Sequence, residues 1–438
     1  MKVLKFGGTS VGSASRMHNV SEIVSQNQPV IVVLSAVSGT TNSLVDIIEA
    51  MKSEQLTQAA EIVEKLRLFY VEFIKTLYSS DSSRQNAQEF ITKQLSNISE
   101  RFDRQLIVSD EFHILAKGEM ISTQLFHLFL IEQGKSSSLL NSLNFLILNE
   151  SGAPDEEYLA DKLSEQIRTH SDSQILVSQG FICRDAKGEV SNLERGGSDY
   201  SASLFGAAIN ADEIQIWTDI DGMHNNDPRY IDNTKPVREL SFNEAAELAY
   251  FGAKILHPAS IKPARKSNVP VRLLNSLNSS AVGTLISSET KRSTIKAVAA
   301  KSGITAIKIR SSEMLQAPGF LHKIFEVFEH YQTSIDMVTT SEVAVSVTID
   351  DTSSLQTIVD VLSEFAHIEV DDSLSIICIV GEYLVENSGL ATKVIGALEG
   401  TPIRMISYGG SAHNISLLVS EDSKTKALQA LHDKLFND

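Results

Sequence analysis

The chain opens on a short apolar run, Val3 to Phe6, then a glycine-rich stretch, then Val20, Ile23 and Val24 at the spacing of one helix face. A second apolar run, Val30 to Leu34, again gives way to small residues, SAVSGTTN, before another helical pattern. This alternation predicts β-loop-α-β-loop-α and therefore an α/β domain whose sheet carries helices on both faces. From about residue 50 to 133 the spacing is helical with few breakers, and Gly134 closes the last of these helices. Strands are expected again at Phe145 to Leu148 and Ile175 to Val177, with a helix beginning near Pro154 between them. A third strand-glycine-helix crossing falls on RGGSDYSASLFGAAIN, followed by the strand EIQIW and the loop TDIDGMHNNDPR.

Polar residues around position 290, SSETKRS, read as a linker, so the first domain is expected to span residues 1–290. Beyond it lies a weak internal repeat. Ala306–Ile309, Gly319–His330 and Ile335–Val347 can be laid on Ile376–Val380, Gly389–Glu399 and Ile403–Leu417, with a period of 70 residues from Gly319 to Gly389. Each copy reads strand, loop, helix, strand, tight turn, strand, helix, the content of a ferredoxin-like unit, and the first closes with a strand near Ile368–Val370. Two α+β modules, 291–371 and 372–438, are therefore expected after one large α/β domain.

Composition narrows the function. A chain of 438 residues exceeds what one core organises, and 42% hydrophobic with 21% charged residues suits several well-filled cores. A formal net charge of −17 disfavours a binder of nucleic acid or anionic membrane, so any phosphate must meet a local basic spot. Cys183 and Cys378 lie far apart without metal-ligand spacing, which argues against a disulfide framework or zinc site and fits a reduced, cytoplasmic setting. The opening MKVLKFGG has no signal-peptide core, and no run approaches the roughly 18 apolar residues of a membrane span.

Three loops carry candidate chemistry. KFGGTS sets Lys5 at a strand end with Gly7 and Gly8 behind it, so an ammonium and backbone N–H groups converge where a phosphate chain could lie. A glycine pair after a strand also serves as a mere tight turn, and this one matches neither the Walker A nor the dinucleotide-binding spacing. ERGGSDYS repeats the theme, with Arg195 before paired glycines and Asp199 at a helix start, where an acid also serves as an N-cap. WTDIDGMHNNDPR is rich in Asp and Asn and suits calcium or a nucleotide; its glycine and acids miss the EF-hand pattern, and it leads into FGAKILHP with a further cation, Lys254. His257, with no His or Cys nearby, reads as a packing residue beside Pro258.

Taken together, KFGGTSV, VVLSAVSGTTNSL, KGEMIST, RGGSDYSASL, WTDIDGM, DPR, FGAKILHPA, MVTTSEV and ISYGGSAHN resemble aspartate kinases over essentially the whole chain. Their order and spacing are most similar to the single-function, lysine-sensitive branch. The resemblance implies an amino-acid-kinase α/β/α sandwich followed by two ACT modules, acting on L-aspartate with ATP and Mg²⁺. It implies that Lys5, Gly7, Gly8 and Ser10 meet the transferring phosphoryl group, and that Thr41, Glu119, Arg195, Gly196, Gly197, Ser198 and Asp199 form the aspartate and catalytic site. The planar fork of Arg195 suits an α-carboxylate and Glu119 an α-ammonium. Thr218, Asp219, Arg229, Lys254 and Ile255 match nucleotide-binding positions, while His224 stands where relatives often have tyrosine.

An effector site is expected in the first module. Met314, Ala317, Phe320 and Leu321 lead into a helix whose free N–H groups could receive an α-carboxylate. Facing them in the repeat alignment are Ser334, Ile335 and Asp336, then Thr340, Ser341 and Glu342. Acids at 336 and 342 suit the two ammonium groups of lysine, whereas Arg404 takes the place of Asp336 in the second copy. Asp336 could equally cap a strand turn. Pairing of exposed module edges would make a homodimer or tetramer. Alternatives are a sister kinase of the same fold acting on acetylglutamate, glutamate, carbamate or UMP, and a non-catalytic amino-acid sensor.

Overall fold

In this computed structural model, residues 1–193, 196–252, 256–288, 295–311, 314, 318–382, 384–386 and 388–437 are described. The strands are β1 (Lys2–Phe6), β2 (Val30–Leu34), β3 (Ser137–Leu140), β4 (Ile175–Gln179), β5 (Ile182–Arg184), β6 (Val190–Asn192), β7 (Ile214–Thr218), β8 (Glu239–Ser241), β9 (Val271–Asn275) and β10 (Thr284–Ser287). They continue with β11 (Ala297–Arg310), β12 (Val338–Thr340), β13 (Ala344–Ile349), β14 (His367–Val380), β15 (Met405–Tyr408) and β16 (Asn414–Ser420). Between them run the helices α1 (Ala14–Ser25), α2 (Thr40–Lys52), α3 (Leu56–Leu77), α4 (Asp81–Ser99), α5 (Val108–Leu115), α6 (Lys117–Glu132) and α7 (Glu156–Thr169). The rest are α8 (Gly197–Ala208), α9 (Phe242–Tyr250), α10 (Lys262–Lys266), α11 (Phe320–His330), α12 (Leu355–Ser363), α13 (Leu390–Ala397) and α14 (Lys424–Phe436).

The chain divides into two compact units, one of residues 1–223, 238–242 and 255–290, the other of residues 224–237, 243–254 and 291–438. The first is built on an eight-stranded sheet in the order β3-β4-β2-β1-β7-β9-β10-β8, parallel except where β9 meets β10. Every residue of β2 is buried, as expected of a central parallel strand covered on both faces. Alternation along β1 sorts its side chains. Leu4 and Phe6 join the core formed with α1, α2, α3, α4 and α6, which leaves Val3 and Lys5 for the opposite face, where α8 lies.

Two local expectations change. Phe145 to Leu148 is not a strand: Phe145 and Leu146 are fully buried in a loop after a 3₁₀ turn, and only isolated bridges form at Ile147 and Leu148. The strand pairing with β4 is instead Ser137–Leu140, so an apolar run that fills a core position was read as one that pairs. The second change concerns length: α5 and α6 together, Val108–Glu132, are apolar and long enough to cross a membrane, but 61% of the apolar window is buried inside the protein, as in a core helix.

In the second unit the two modules share one six-stranded antiparallel sheet, β12-β13-β11-β14-β16-β15. Gly319 and Gly389, the anchors of the repeat, both stand at helix N-caps with φ of 89° and 86°. Asp336 N–H donates to Thr348 O at 2.8 Å and Arg404 N–H to Leu418 O at 2.7 Å, the same backbone role in each copy. The long strands cross between modules: Thr305–Arg310 pair with β13, while Ala297–Ser302 pair with Ser375–Val380 of β14. Val298 accordingly packs in the core of α13 and α14, with Ile377, Val394 and Leu431, whereas Ile307 and Ile309 pack in that of α11 and α12. The boundary proposed at SSETKRS falls mostly on 289–294, outside the described residues.

Candidate active site

The loops leaving β1, β2, β4 and β7 open at the carboxyl edge of the sheet, with β1 between neighbours on either side, the place where open α/β sheets gather ligands. The Lys5 ammonium stands 2.7 Å from Oδ1 of Asp199, in the first turn of α8, and both side chains are largely buried. The pairing follows from strand alternation, since Lys5 projects onto the face α8 covers. Gly7 lies directly over that ammonium, its missing Cβ position 3.5 Å from Nζ. Gly8 is required for a different reason: a Cβ there would stand 2.8 Å from Ala36 O, and its carbonyl accepts the Ser38 N–H at 3.2 Å.

Glu119 completes this cluster from α6. Its side chain is buried, and one oxygen accepts the Ala36 N–H at 3.1 Å. Burial pushes its carboxyl up to about 7, against the opposing pull of the Ala36 N–H and the nearby Lys5 charge. Thr41, the next residue along from buried Thr40, is exposed at the start of α2. At the third loop, Gly196 takes φ +80° ahead of α8, and a Cβ on Gly197 would strike the Phe181 ring at 2.4 Å. Ser198 packs against Gly180, where a Cβ would lie 2.5 Å from its own. The structure thus brings together Lys5, Gly7, Gly8, Glu119 and Asp199, with Ser198 beside Asp199.

Other expected residues have different surroundings. Ser10 is buried and its hydroxyl bridges to Ser276 Oγ at 2.7 Å, so it ties the first loop to the end of β9. Thr218 and Asp219 end β7 and share a hydrogen bond of 3.1 Å. His224 and Arg229 belong to the second unit, where His224 Nδ1 meets Thr234 Oγ1 at 2.8 Å and Arg229 is ion-paired with Asp227 at 2.6 Å. Arg195, Lys254, Ile255 and Ala317 lie outside the described residues. His257 caps a 3₁₀ turn by accepting the Ala259 N–H at 3.2 Å, a packing role. Two contributors had no sequence signal. Tyr70, from α3, is fully buried with its hydroxyl 2.7 Å from Thr40 Oγ1, and Ser276 holds Ser10 across 266 residues.

In the first module, Gly319 caps α11, Phe320 is buried and Leu321 exposed, while Met314 and Ile335 pack against the module core. Ser334 and Glu342 are exposed, and Ser341 N–H closes a turn on Ala344 O at 2.8 Å. The Asp336 side chain is fully buried; Oδ1 is 2.9 Å from Lys301 Nζ and 2.5 Å from the Tyr250 hydroxyl. It does more than end a strand turn: its buried carboxylate anchors a polar cluster with Lys301 and Tyr250.

The model of the amino acid kinase family matches residues 1–275, and an ACT domain model matches residues 377–435. Lysine-sensitive aspartokinase 3 of Escherichia coli is 33% identical over 99% of both chains. Chloroplastic aspartokinase 1 of Arabidopsis thaliana is 33% identical over 99% of this chain and 80% of its own length. The crystal structure of E. coli aspartokinase III with aspartate and ADP, an R-state, covers the whole of both chains at a TM-score of 0.86 and 33% identity. Its T-state with lysine and aspartate gives a TM-score of 0.83 at 33% identity, over 100% of this chain and 99% of that one. With an amino acid kinase domain ahead of ACT modules and this likeness along its full length, the chain belongs to the aspartokinase family.

Proposed function

We propose that the chain transfers the γ-phosphoryl group of ATP to the β-carboxylate of L-aspartate, yielding 4-phospho-L-aspartate and ADP. The observation that carries this reading is the buried Lys5–Asp199 pair at the end of the central strand, beside Gly7, Gly8 and Glu119. Nucleophile and electrophile are both anionic, so the reaction needs positive charge fixed in advance at the transferring group. Lys5 meets that need. Asp199 orients its ammonium, and no base is required because the nucleophile is a carboxylate already ionised at neutral pH. Glu119 receives the substrate ammonium. Arg195 takes the α-carboxylate; Thr41, Gly196, Gly197 and Ser198 complete the aspartate site. Thr218, Asp219, His224, Arg229, Lys254 and Ile255 are assigned to ATP.

Among the described residues no three His, Cys, Asp or Glu side chains lie together as a metal cage. Mg²⁺ is accordingly assigned to the triphosphate oxygens, as part of the substrate. The catalytic domain is assigned to residues 1–290 and the regulatory modules to 291–371 and 372–438, in a cytoplasmic homodimer or tetramer. Purified protein with ATP and Mg²⁺ is expected to release ADP only when aspartate is added, and hydroxylamine is expected to trap the acyl phosphate as a hydroxamate. ATP consumption with acetylglutamate or UMP in place of aspartate would overturn the assignment, and no turnover with any of them would favour a sensor.

Feedback inhibition by lysine at the first module is part of the same proposal. Its support is the buried Asp336 carboxylate, with exposed Ser334 and Glu342 nearby in sequence and the capped start of α11 in the same module. Met314, Ala317, Phe320, Leu321, Ile335 and Ser341 are the remaining assigned contacts. Replacing Asp336 by Ala is expected to weaken lysine inhibition by roughly tenfold or more, the worth of one charge-assisted contact. Dose-response curves with lysine and threonine check this; unchanged lysine inhibition in the variant, or a response to threonine alone, would refute the site.

A further inference from the structure

The cluster around the buried Asp336 carboxylate reaches beyond the module that carries it. Oδ1 of Asp336 is held by Lys301 and by the hydroxyl of Tyr250, the last residue of α9. Oδ2 has no hydrogen-bond partner among the described residues. Lys301 also reaches Asp350 at 2.8 Å and lies 4.4 Å from the centre of the Tyr250 ring. The backbone reinforces the contact. Gly252 adopts φ +135°, and a Cβ there would stand 2.2 Å from Ala300 O, so only glycine lets this turn press against β11.

The same stripe of α9, one and two turns before Tyr250, meets the second module. Glu247 accepts hydrogen bonds from Ser411 Oγ at 3.0 Å and Asn414 Nδ2 at 2.6 Å, and Asn243 Nδ2 lies 3.1 Å from His413 Nε2. A helix whose sequence precedes FGAKILHP is thus bound by side chains of both modules. Tyr250 stands four positions before Lys254.

We propose that Tyr250 is the positioning residue through which occupancy of the Asp336 site is passed to α9. This rests on the reading of Asp336 as a lysine contact. The physical argument is one of competition for a single buried carboxylate. An incoming ammonium brings a second cation next to Lys301 in a poorly screened place, and like charges there repel strongly. Oδ2 is the oxygen left for the effector, and an ammonium bound there draws the carboxylate away from the Tyr250 hydroxyl on Oδ1. The hydroxyl therefore bonds Asp336 more strongly when the effector is absent. A contact made in one state and lost in the other is what a ligand requires in order to shift an equilibrium.

The test separates binding from its consequence, with Tyr250→Phe, which keeps the ring over Lys301 and removes only the hydroxyl. Lysine binding by calorimetry is expected to tighten by about threefold, because no hydroxyl competes for Asp336, while the ratio of activity without lysine to activity at saturating lysine falls by roughly tenfold, a typical allosteric coupling. Coupling is reciprocal, so the weakening of lysine binding by aspartate plus a non-hydrolysable ATP analogue is expected in wild type and lost in the variant. A thermal melt reports that the variant is folded. If wild type binds and obeys lysine and the variant is inhibited as fully, with the same reciprocal effect, the role of Tyr250 is overturned while the effector assignment stands. If wild type itself binds no lysine, the effector assignment fails, and the role given to Tyr250 fails with it.

Discussion

Lys5→Met is expected to lower kcat by two to three orders of magnitude, corresponding to roughly 3 to 4 kcal/mol of barrier for one preorganised electrostatic group. The side chain keeps nearly its length and apolar stem, so β1 and its neighbours are expected to fold. What is lost is the one ammonium that strand alternation aims at Asp199. With the cation gone, Asp199 becomes a largely buried, unpaired carboxylate facing an incoming polyanion, which adds to the barrier. Asp199→Asn is expected to cost less, since the ammonium remains and only its orientation suffers. Steady-state kinetics at saturating aspartate and ATP, with a thermal melt as the control for folding, decide the matter; a decrease of less than threefold in Lys5→Met would remove that residue from the site.

The second large effect concerns Glu119. Its carboxyl is raised to about 7 by burial, so the unliganded enzyme holds it half protonated near neutral pH. Only the ionised form offers the substrate ammonium a counter-charge. The direction follows: below about pH 7 the ionised fraction falls about tenfold per pH unit, and apparent aspartate affinity falls with it. Glu119→Gln is expected to raise the aspartate KM by roughly 30-fold or more, corresponding to at least about 2 kcal/mol for a buried charge pair broken on one side, and to flatten the dependence of KM between pH 6 and 7.5. The KM for ATP is expected to move little. A wild-type aspartate KM that is constant across that range would show that Glu119 does not meet the ammonium.

The parts of the fold legible in the sequence were those written locally. Strand-glycine-helix crossings announced the α/β domain because a tight turn needs glycine where the next helix begins, and the 70-residue repeat survived as two positive-φ glycines, Gly319 and Gly389. Lys5 and Asp199 could each be suspected from a loop, but their pairing depends on which face of β1 points toward α8, a matter of sheet order. Tyr70, Ser276, Lys301 and Tyr250 carried no signal, since each works through a partner at least 30 residues away. The strand misplaced onto Phe145 to Leu148 shows the limit of periodicity for short apolar runs. The interleaving of the modules was hidden too: Ala297–Ser302 and Thr305–Arg310 belong to one strand that shifts register around Gly303, and an isolated glycine does not say that the two halves serve different cores.

That interleaving bears on how the protein is made. Val298 and Ile231 share a core with Leu428 and Leu431 of α14, and the Asn226 side-chain amide donates to Leu428 O across 202 residues of chain. A ribosome delivers the chain from its N-terminus, so the segment containing Ile231 and Asn226 leaves the exit tunnel long before the helix that completes its surroundings. The eight-stranded sheet has all its strands by Ser287 and can condense first, whereas the core around Ile231 must wait for the last helix and close a loop of about 200 residues. Nascent chains halted before α14 are therefore expected to display Ile231 and Val298 to chaperones, and the regulatory core to be the last part of the enzyme to mature.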